Sequence, residues 1–135
     1  QIRVAAGLPL GFKQNDITLR GHAIECRINA EDPTRDFLPS SGRVNLLHIP
    51  GGNSVRFDTA LYQDYVVPPY YDSMLGKLIV HAPDREQAVR KMQGALSELV
   101  IEGVEHTAEL QMDILEQKDF LDGSYTTDFM LTHTF

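Results

Sequence analysis

Apolar and polar residues alternate along residues 22–30 of the chain. A period of two places successive side chains on opposite sides of a strand, so this pattern predicts a β-strand with one buried and one polar face. The predicted buried side carries Ile24, Cys26, Ile28 and Ala30, and the predicted polar side carries Ala23, Glu25, Arg27 and Asn29. Pro33 lacks the backbone donor that a sheet requires, so the strand is predicted to end before it.

Three further segments have the character of strands. Residues 43–49 and 55–58 flank the turn-forming sequence PGGNS at residues 50–54, which predicts a hairpin between them. Residues 77–82 contain a short apolar run, which predicts a buried strand. Residues 125–130 are a candidate for a last strand.

Two helices are predicted in the second half of the chain. Asp84 and Gln87 have the spacing of a capping box, in which each side chain satisfies a free backbone donor of the other residue. The apolar stripe that predicts the first helix consists of Val89, Met92, Leu96 and Leu99. Gly103 is its predicted stop, and Thr107 is predicted to cap a second helix. These elements predict an α+β fold, with an antiparallel sheet from the first half and two packed helices from the second half.

Composition narrows the class of protein. A chain of 135 residues is long enough for one domain with its own core. The net charge is −7, with 12 Lys and Arg against 19 Asp and Glu, and no basic cluster is present, so nucleic acid is not expected as a partner. One cysteine, no leader-like start and no apolar run of the ~20 residues that span a membrane predict a reduced, cytoplasmic protein without membrane contact.

Two stretches of the sequence are more distinctive than a buried core requires. Residues 20–44 read RGHAIECRINAEDPTRDFLPSSGRV, and residues 68–79 read PPYYDSMLGKLI. Together they resemble the C-terminal domain of biotin carboxylase, which belongs to the biotin-dependent carboxylases and uses ATP and bicarbonate to carboxylate biotin. The resemblance implies that residues 1–14 are the tail of a preceding ATP-grasp domain, with QIRVAAGLPL as its last helix. Residues 15–135 are then the C-terminal domain.

The same resemblance implies the activity, cofactors and partners of an intact protein. Carrier-linked biotin is the implied substrate, and ATP and Mg²⁺ are implied for the intact enzyme, but none of the three is expected to bind this chain alone. The implied partners are the protein's own ATP-grasp domain, a biotin carboxyl carrier protein, carboxyltransferase subunits and a second copy of the enzyme in a homodimer. The leading hypothesis is the first half-reaction of acetyl-CoA carboxylase, in fatty acid synthesis.

Arg56 is the candidate catalytic and substrate-binding residue. It lies between Val55 and Phe57, so a strand that buries those two side chains turns Arg56 to the other face. Its guanidinium group is always charged and carries a planar fork of donors, which suits bicarbonate or an enolate oxygen. An arginine on a strand is also commonly a solvated or salt-bridged residue. The resemblance implies that Arg56, after Gly51 and Gly52, contacts bicarbonate and stabilises the biotin enolate.

Several other polar residues have two open interpretations. Glu25 and Arg27 share one predicted strand face, where an ion pair or an interdomain contact is the plain interpretation. Residues 70–72 (Tyr-Tyr-Asp) either line a cleft or form a rigid corner fixed by the two preceding prolines. Lys77 follows a glycine but lacks the spaced glycines and the Ser or Thr of a phosphate-binding loop, and no catalytic role is assigned to it.

The resemblance places His81 and Arg85 at the homodimer interface of bacterial biotin carboxylases. A positive charge at a helix N-terminus is mildly unfavourable with the helix dipole, which slightly favours an external partner for Arg85. The five histidines are scattered, and no pair has the helical spacing of metal ligands, so no metal site is predicted. Cys26 is predicted to be a small buried side chain rather than a catalytic thiol.

Two alternatives to the leading hypothesis stay open. The first is an isolated, non-catalytic structural and dimerisation module, because the chain lacks a glycine-rich ATP loop and an identifiable set of magnesium-binding carboxylates. The second is the cap of a different ATP-grasp ligase, such as a purine-pathway enzyme, which the two distinctive stretches disfavour. No ATP cleavage is expected from the chain alone, and its sequence does not encode the final carboxyl acceptor.

Overall fold

The computed structural model describes all residues, 1–135. The strands are β1 (His22–Asn29), β2 (Glu31–Asp32), β3 (Leu38–Pro39), β4 (Gly42–Arg43), β5 (Leu46–His48), β6 (Val55–Thr59), β7 (Val66–Val67), β8 (Met74–Ala82) and β9 (Val100–Glu102). The α-helices are α1 (Ile2–Ala5), α2 (Arg85–Glu98), α3 (Ala108–Glu116), α4 (Lys118–Asp122) and α5 (Phe129–Thr132), and 3₁₀ turns cover Gln14–Asp16 and Pro33–Arg35. Antiparallel strands dominate the first half and helices the second, which confirms the predicted α+β class.

The central sheet consists of β1, β8 and β6, with β8 in the middle and both neighbours antiparallel to it. The alternation predicted for β1 is confirmed, because Cys26 and Ile28 are buried while Glu25 and Arg27 are exposed. Since β8 is paired along both edges and covered on one side, a largely apolar sequence suits its position. The predicted strands at residues 55–58 and 77–82 are therefore correct, and β8 begins three residues earlier than expected.

Helix α2 covers the apolar side of the central sheet and contacts both β8 and β1. The largest fully buried side chains of this layer are Ile28, Leu78, Val80 and Met92. Each such side chain stabilises the fold by roughly 1.5–3 kcal/mol relative to an exposed position. The predicted stripe of α2 is thus confirmed as the face that packs on the sheet.

Capping residues define where two helices begin. The Asp84 carboxylate accepts a hydrogen bond from the Gln87 backbone N–H at 2.9 Å, as the predicted capping box requires. The Gln87 side chain differs from the prediction, because its amide donates to the Asp84 carboxylate at 2.5 Å instead of accepting from the Asp84 backbone. Thr107 precedes α3 as predicted, but its hydroxyl accepts from the Asn29 backbone N–H at 3.0 Å and so ties α3 to the end of β1.

The predicted hairpin across residues 50–54 is wrong. The segment 43–49 divides into β4 and β5, and β5 pairs with the distant β9. Strand β6 pairs instead with β8, in the central sheet. Residues 50–54 therefore carry the chain from one sheet to another, a connection that turn chemistry alone does not specify.

Two predictions about the second half of the chain are also wrong. Residues 125–130 form no strand, because the chain turns there and enters the short helix α5. Tyr125 stacks on Phe120 with ring centroids 5.3 Å apart, so this side chain packs against α4 instead of taking part in a sheet. Gly103 does not end α2, which stops at Glu98; with φ of +105° it turns the chain after β9.

None of the first 20 residues is buried. Within the segment predicted to be a helix, only Ile2–Ala5 is helical. Seven large apolar side chains of this region are exposed: Ile2, Val4, Leu8, Leu10, Phe12, Ile17 and Leu19. The core described above begins at β1 and makes no use of them.

Candidate active site

One side of the central sheet is charged, and we call it the charged face; its residues are Glu25, Arg27, Arg56, Asp58 and Lys77. Pleating turns these side chains away from α2, because their neighbours along each strand point into the core. Glu25 and Arg56 flank Ile79 of the central strand in register. Arg27 and Asp58 flank Lys77 in the next row. The face thus has three cationic and two anionic side chains within two rows.

Arg56 lies on the charged face, as the sequence predicted. Its neighbours Val55 and Phe57 are half-buried on the other side, and the Arg56 side chain is 68% exposed. The Arg56 Nε atom lies 2.9 Å from Oδ1 of Asp58, and this is its one ion pair. No hydrogen bond to the chain occupies the terminal nitrogens of the guanidinium group, so their planar edge is open to an anion.

The loop that leads to Arg56 is held by contacts from other elements. The backbone N–H of His81, at the end of β8, donates to the Ser54 carbonyl at 3.0 Å. Lys91 of α2 donates from Nζ to the carbonyls of Asn53 at 3.2 Å and His81 at 2.9 Å. Gly52, with φ of +115°, has a backbone conformation that favours glycine. Sequence reasoning missed Lys91, because only the packing of α2 brings it to this loop.

Glu25 and Arg27, whose roles the sequence left open, differ in their partners. The Glu25 carboxylate lies 3.9 Å from Lys77 Nζ across the strand pair. Arg27 has no ion pair within the chain and is exposed. The ion-pair interpretation therefore applies to Glu25, while the Arg27 guanidinium is available to a ligand or a second domain.

The Tyr-Tyr-Asp segment combines both of its predicted interpretations. The Asp72 carboxylate accepts from the Met74 backbone N–H at 2.8 Å, which makes a rigid corner before β8. Tyr71 and Asp72 line a groove that reaches Asp58 at the edge of the charged face. Tyr70 is outside this groove and is 87% exposed. Asp58 is the one residue of the charged face that lines this groove, whose other lining residues are mostly apolar.

Both residues of the predicted homodimer interface have partners inside the chain. Arg85 donates from Nη2 to the Phe120 carbonyl at 2.5 Å, and its guanidinium carbon lies 4.8 Å from the centre of the Phe120 ring. The His81 Nε2 atom lies 2.9 Å from the Arg20 carbonyl. The cation at the start of α2 therefore has partners inside the chain, although its Nε atom is buried without a hydrogen bond. The interface role of His81 and Arg85 stays a prediction.

Cys26 lies on the opposite side of the sheet from Arg56 and is 4% exposed. Burial, followed by the nearby charge of Glu25, raises the pKa of its thiol from 9.0 to about 12. Because the thiolate is the nucleophilic form, this side chain is unsuited to catalysis at neutral pH. No group of three or more histidine, cysteine, aspartate or glutamate side chains in the chain is placed to hold a metal ion. No helix is both long enough and apolar enough to cross a membrane.

Comparison with known proteins shows which family has this sequence. The family model described as biotin carboxylase C-terminal domain matches residues 25–132. The biotin carboxylase of Haemophilus influenzae is 53% identical over 130 residues, which cover 96% of this chain and 29% of that protein. The chloroplastic biotin carboxylase of Arabidopsis thaliana is 53% identical over 133 residues, which cover 98% of this chain and 25% of that protein.

A solved structure agrees with these sequence relatives. It is the crystal structure of the biotin carboxylase domain dimer of Hydrogenobacter thermophilus 2-oxoglutarate carboxylase, in complex with MgADP, ADP and bicarbonate. The TM-score is 0.95 at 46% sequence identity, and the match covers 98% of this chain and 29% of that one. This chain therefore spans less than a third of the length of each of these relatives. By sequence and by fold, the chain belongs to the biotin carboxylase C-terminal domain family.

Proposed function

We propose that this chain completes the active site of a biotin carboxylase, in which ATP and bicarbonate are used to carboxylate carrier-linked biotin. Arg56 is the residue to which we assign direct contact with the reacting groups. The observation that carries the proposal is its exposed guanidinium group, whose terminal nitrogens are unoccupied on a face with an excess of cations. In that position it binds bicarbonate and then stabilises the negative oxygen of the biotin enolate.

The reaction divides between this chain and an ATP-grasp domain. Bicarbonate attacks the γ-phosphorus of ATP and displaces ADP, which gives carboxyphosphate. Carboxyphosphate then breaks into CO₂ and phosphate, the N1–H of biotin gives its proton to the released phosphate, and N1 attacks the CO₂ to form the new N–C bond. The residues of this chain do not fit Mg²⁺, since no group of three or more histidine, cysteine, aspartate or glutamate side chains is placed to hold a metal ion. We therefore assign ATP cleavage to the ATP-grasp domain and anion and enolate binding to Arg56.

The exposed apolar side chains of the first 20 residues are an argument for a second domain that covers them. Side chains such as Ile2, Leu10 and Leu19 lie on the surface of this chain, although burial would stabilise each of them. The relatives of this chain are three to four times as long, which leaves a large segment to cover these positions. We propose that residues 1–14 belong structurally to the ATP-grasp domain and that residues 15–135 form the C-terminal domain.

The wider context is also a proposal. We place the chain in a cytoplasmic acetyl-CoA carboxylase of fatty acid synthesis, with a biotin carboxyl carrier protein and carboxyltransferase subunits as partners. The Haemophilus influenzae relative carries the name biotin carboxylase, which supports the carboxylation of biotin but does not name an acceptor. The 2-oxoglutarate carboxylase relative has the same domain, so the acceptor is decided elsewhere in such enzymes. Its description as a dimer supports a homodimer, with His81 and Arg85 as candidate contacts.

A second function applies to the chain by itself. As an alternative, we propose that the 135-residue chain alone serves as a structural and dimerisation module, for which the description of the 2-oxoglutarate carboxylase relative as a dimer gives support. We expect no bicarbonate-dependent ATP hydrolysis from the purified chain. Hydrolysis above the level of a buffer control, measured as phosphate release, would contradict this division of labour.

A chimera tests the main proposal. In it, this chain replaces the matching segment of the Haemophilus influenzae biotin carboxylase, with which it shares 53% identity. The chimera is expected to carboxylate biotin, and Arg56→Ala is expected to lower its kcat by about 10²-fold or more, as for the loss of one oxyanion donor. The KM for ATP is expected to stay within about twofold, because Arg56 is not assigned to ATP binding.

Arg43→Ala is the matched control for this experiment. Arg43 is also a surface arginine in an ion pair with an aspartate, at 3.6 Å from Asp64, but it lies outside the charged face. Its removal is expected to leave carboxylation unchanged. Near-normal carboxylation by Arg56→Ala, or an equal loss in both variants, would remove Arg56 from the active site.

A further inference from the structure

The ion pair between Arg56 and Asp58 is exposed, so it adds little to the stability of the fold. The two side chains are 68% and 42% exposed, and pairs of this kind contribute about 0–1 kcal/mol. We propose that Asp58 is a positioning residue, which fixes the Arg56 guanidinium group for the anion that it binds. This inference rests on the function proposed for Arg56 and extends it to a second residue.

The position of the carboxylate supports this role. Arg56 and Asp58 are two residues apart on β6, so their side chains stand next to each other on the same face. The Asp58 Oδ1 atom lies 2.9 Å from Nε, at the base of the guanidinium group, and no hydrogen bond joins Asp58 to the terminal nitrogens. It therefore limits the rotation of a long side chain while it leaves the outer edge free for a planar anion.

Arg56 is the one ion-pair partner of Asp58, because the nearby Lys77 pairs with Glu25 instead. Lys77 is paired with Asp58 in register, but its Nζ atom lies 3.9 Å from Glu25, across the other strand. Arg56 is the only residue that forms an ion pair with Asp58. Since the charged face has one more cation than anions, the Asp58 charge does not cancel its attraction for an anion. Asp58 thus orients the Arg56 guanidinium group, while the cations of the charged face attract the anion.

The first test is Asp58→Asn in the chimera described above. Because small errors in the placement of a catalytic group lower the rate steeply, kcat is expected to fall by about tenfold. The KM for ATP is expected to stay within about twofold. The thermal unfolding midpoint is expected to stay within about 2 °C, since the pair is exposed. The control is Asp64→Asn, which makes the same change at the partner of Arg43 and is expected to leave kcat unchanged.

A double-mutant cycle then shows whether Asp58 acts through Arg56. In an Arg56→Lys background the Nε–H and the planar fork are absent, so Asp58→Asn is expected to have no further effect on kcat. A wild-type kcat for Asp58→Asn, while Arg56→Ala is inactive, would overturn the positioning role and leave the proposed function intact. A tenfold loss that persists in the Arg56→Lys background would also overturn it. Near-normal activity of Arg56→Ala would instead contradict the proposed function itself.

Discussion

The two faces of the central sheet are made by the same three strands, yet they differ in almost every property. The face under α2 is apolar, and its Leu78 and Val80 side chains are fully buried. The opposite face carries Arg56 and Lys77, which are largely or partly exposed. Adjacent residues, such as Lys77 and Leu78, therefore belong to different environments. The buried core of this domain and the charged side chains, among them Arg56 with its proposed role, therefore lie on opposite sides of one sheet.

The largest expected effect comes from the apolar face. Leu78→Ala removes a fully buried side chain between the central strand and α2, and it is expected to lower the free energy of unfolding by about 2–5 kcal/mol. Denaturant unfolding of the 135-residue chain, followed by circular dichroism, measures this loss. A loss below about 1 kcal/mol would mean that the layer under α2 is not the core of the domain.

Cys26, on the apolar face, is expected to make the free energy of unfolding depend on pH. Its folded-state pKa is raised by burial to about 12, above the ordinary value of 9.0. The neutral thiol thus stabilises the fold fully below pH 9, and this contribution is lost as the pH rises toward 12. The loss is expected to reach about 1.4 kcal/mol at pH 10. The measurement compares unfolding of the wild type and Cys26→Ala between pH 8 and 10, and parallel pH curves for the two proteins would contradict it.

Asp84 caps the N-terminus of α2, the helix that covers the apolar face. Hydrogen bonds from the Gln87 backbone and side chain lower the pKa of Asp84. Its capping contribution is therefore present at neutral pH and is lost as the pH falls through this lowered pKa. Asp84→Ala is expected to lower Tm by roughly 3–6 °C at pH 7 and by less in acid, whereas Asp84→Asn, which still caps, loses less. A Tm difference that does not narrow in acid would exclude this explanation.

The smallest expected effect is on the charged face. Lys77→Ala removes a partly exposed side chain with one long ion pair to Glu25, so the free energy of unfolding is expected to change by less than about 1 kcal/mol. The same denaturant unfolding experiment compares it with the adjacent Leu78→Ala. If the two substitutions were equally destabilising, the division between the faces would be wrong.

From the sequence, the buried face of a strand could be predicted better than the strand with which it pairs. Alternation in residues 22–30 predicted which side of β1 is buried, and the same argument placed Arg56 on the polar side. The pairing of strands was harder to predict, because the hydrophobic pattern and the turn residues do not indicate which distant strand forms the hydrogen bonds. The wrong hairpin shows this, since β5 pairs with β9, about 50 residues away, rather than with β6.

The candidate site shows the same limit. The pattern placed Glu25 and Arg27 on the face that also carries Arg56, but it did not indicate that Asp58 is the residue paired with Arg56. Lys91 could not be predicted, because its contacts to the carbonyls of Asn53 and His81 depend on how α2 lies on the sheet. Side-chain contacts between elements are set by tertiary packing, which local patterns do not describe.

The most direct test of the division between the faces measures rate and stability in the same variant. Arg56→Ala is made in the chimera for the carboxylation rate and in the 135-residue chain for the free energy of unfolding. We predict a loss of rate of about 10²-fold or more with a change in unfolding free energy below about 1 kcal/mol. A carboxylation rate close to that of the unsubstituted chimera would contradict the account, because the charged face would then have no part in the reaction.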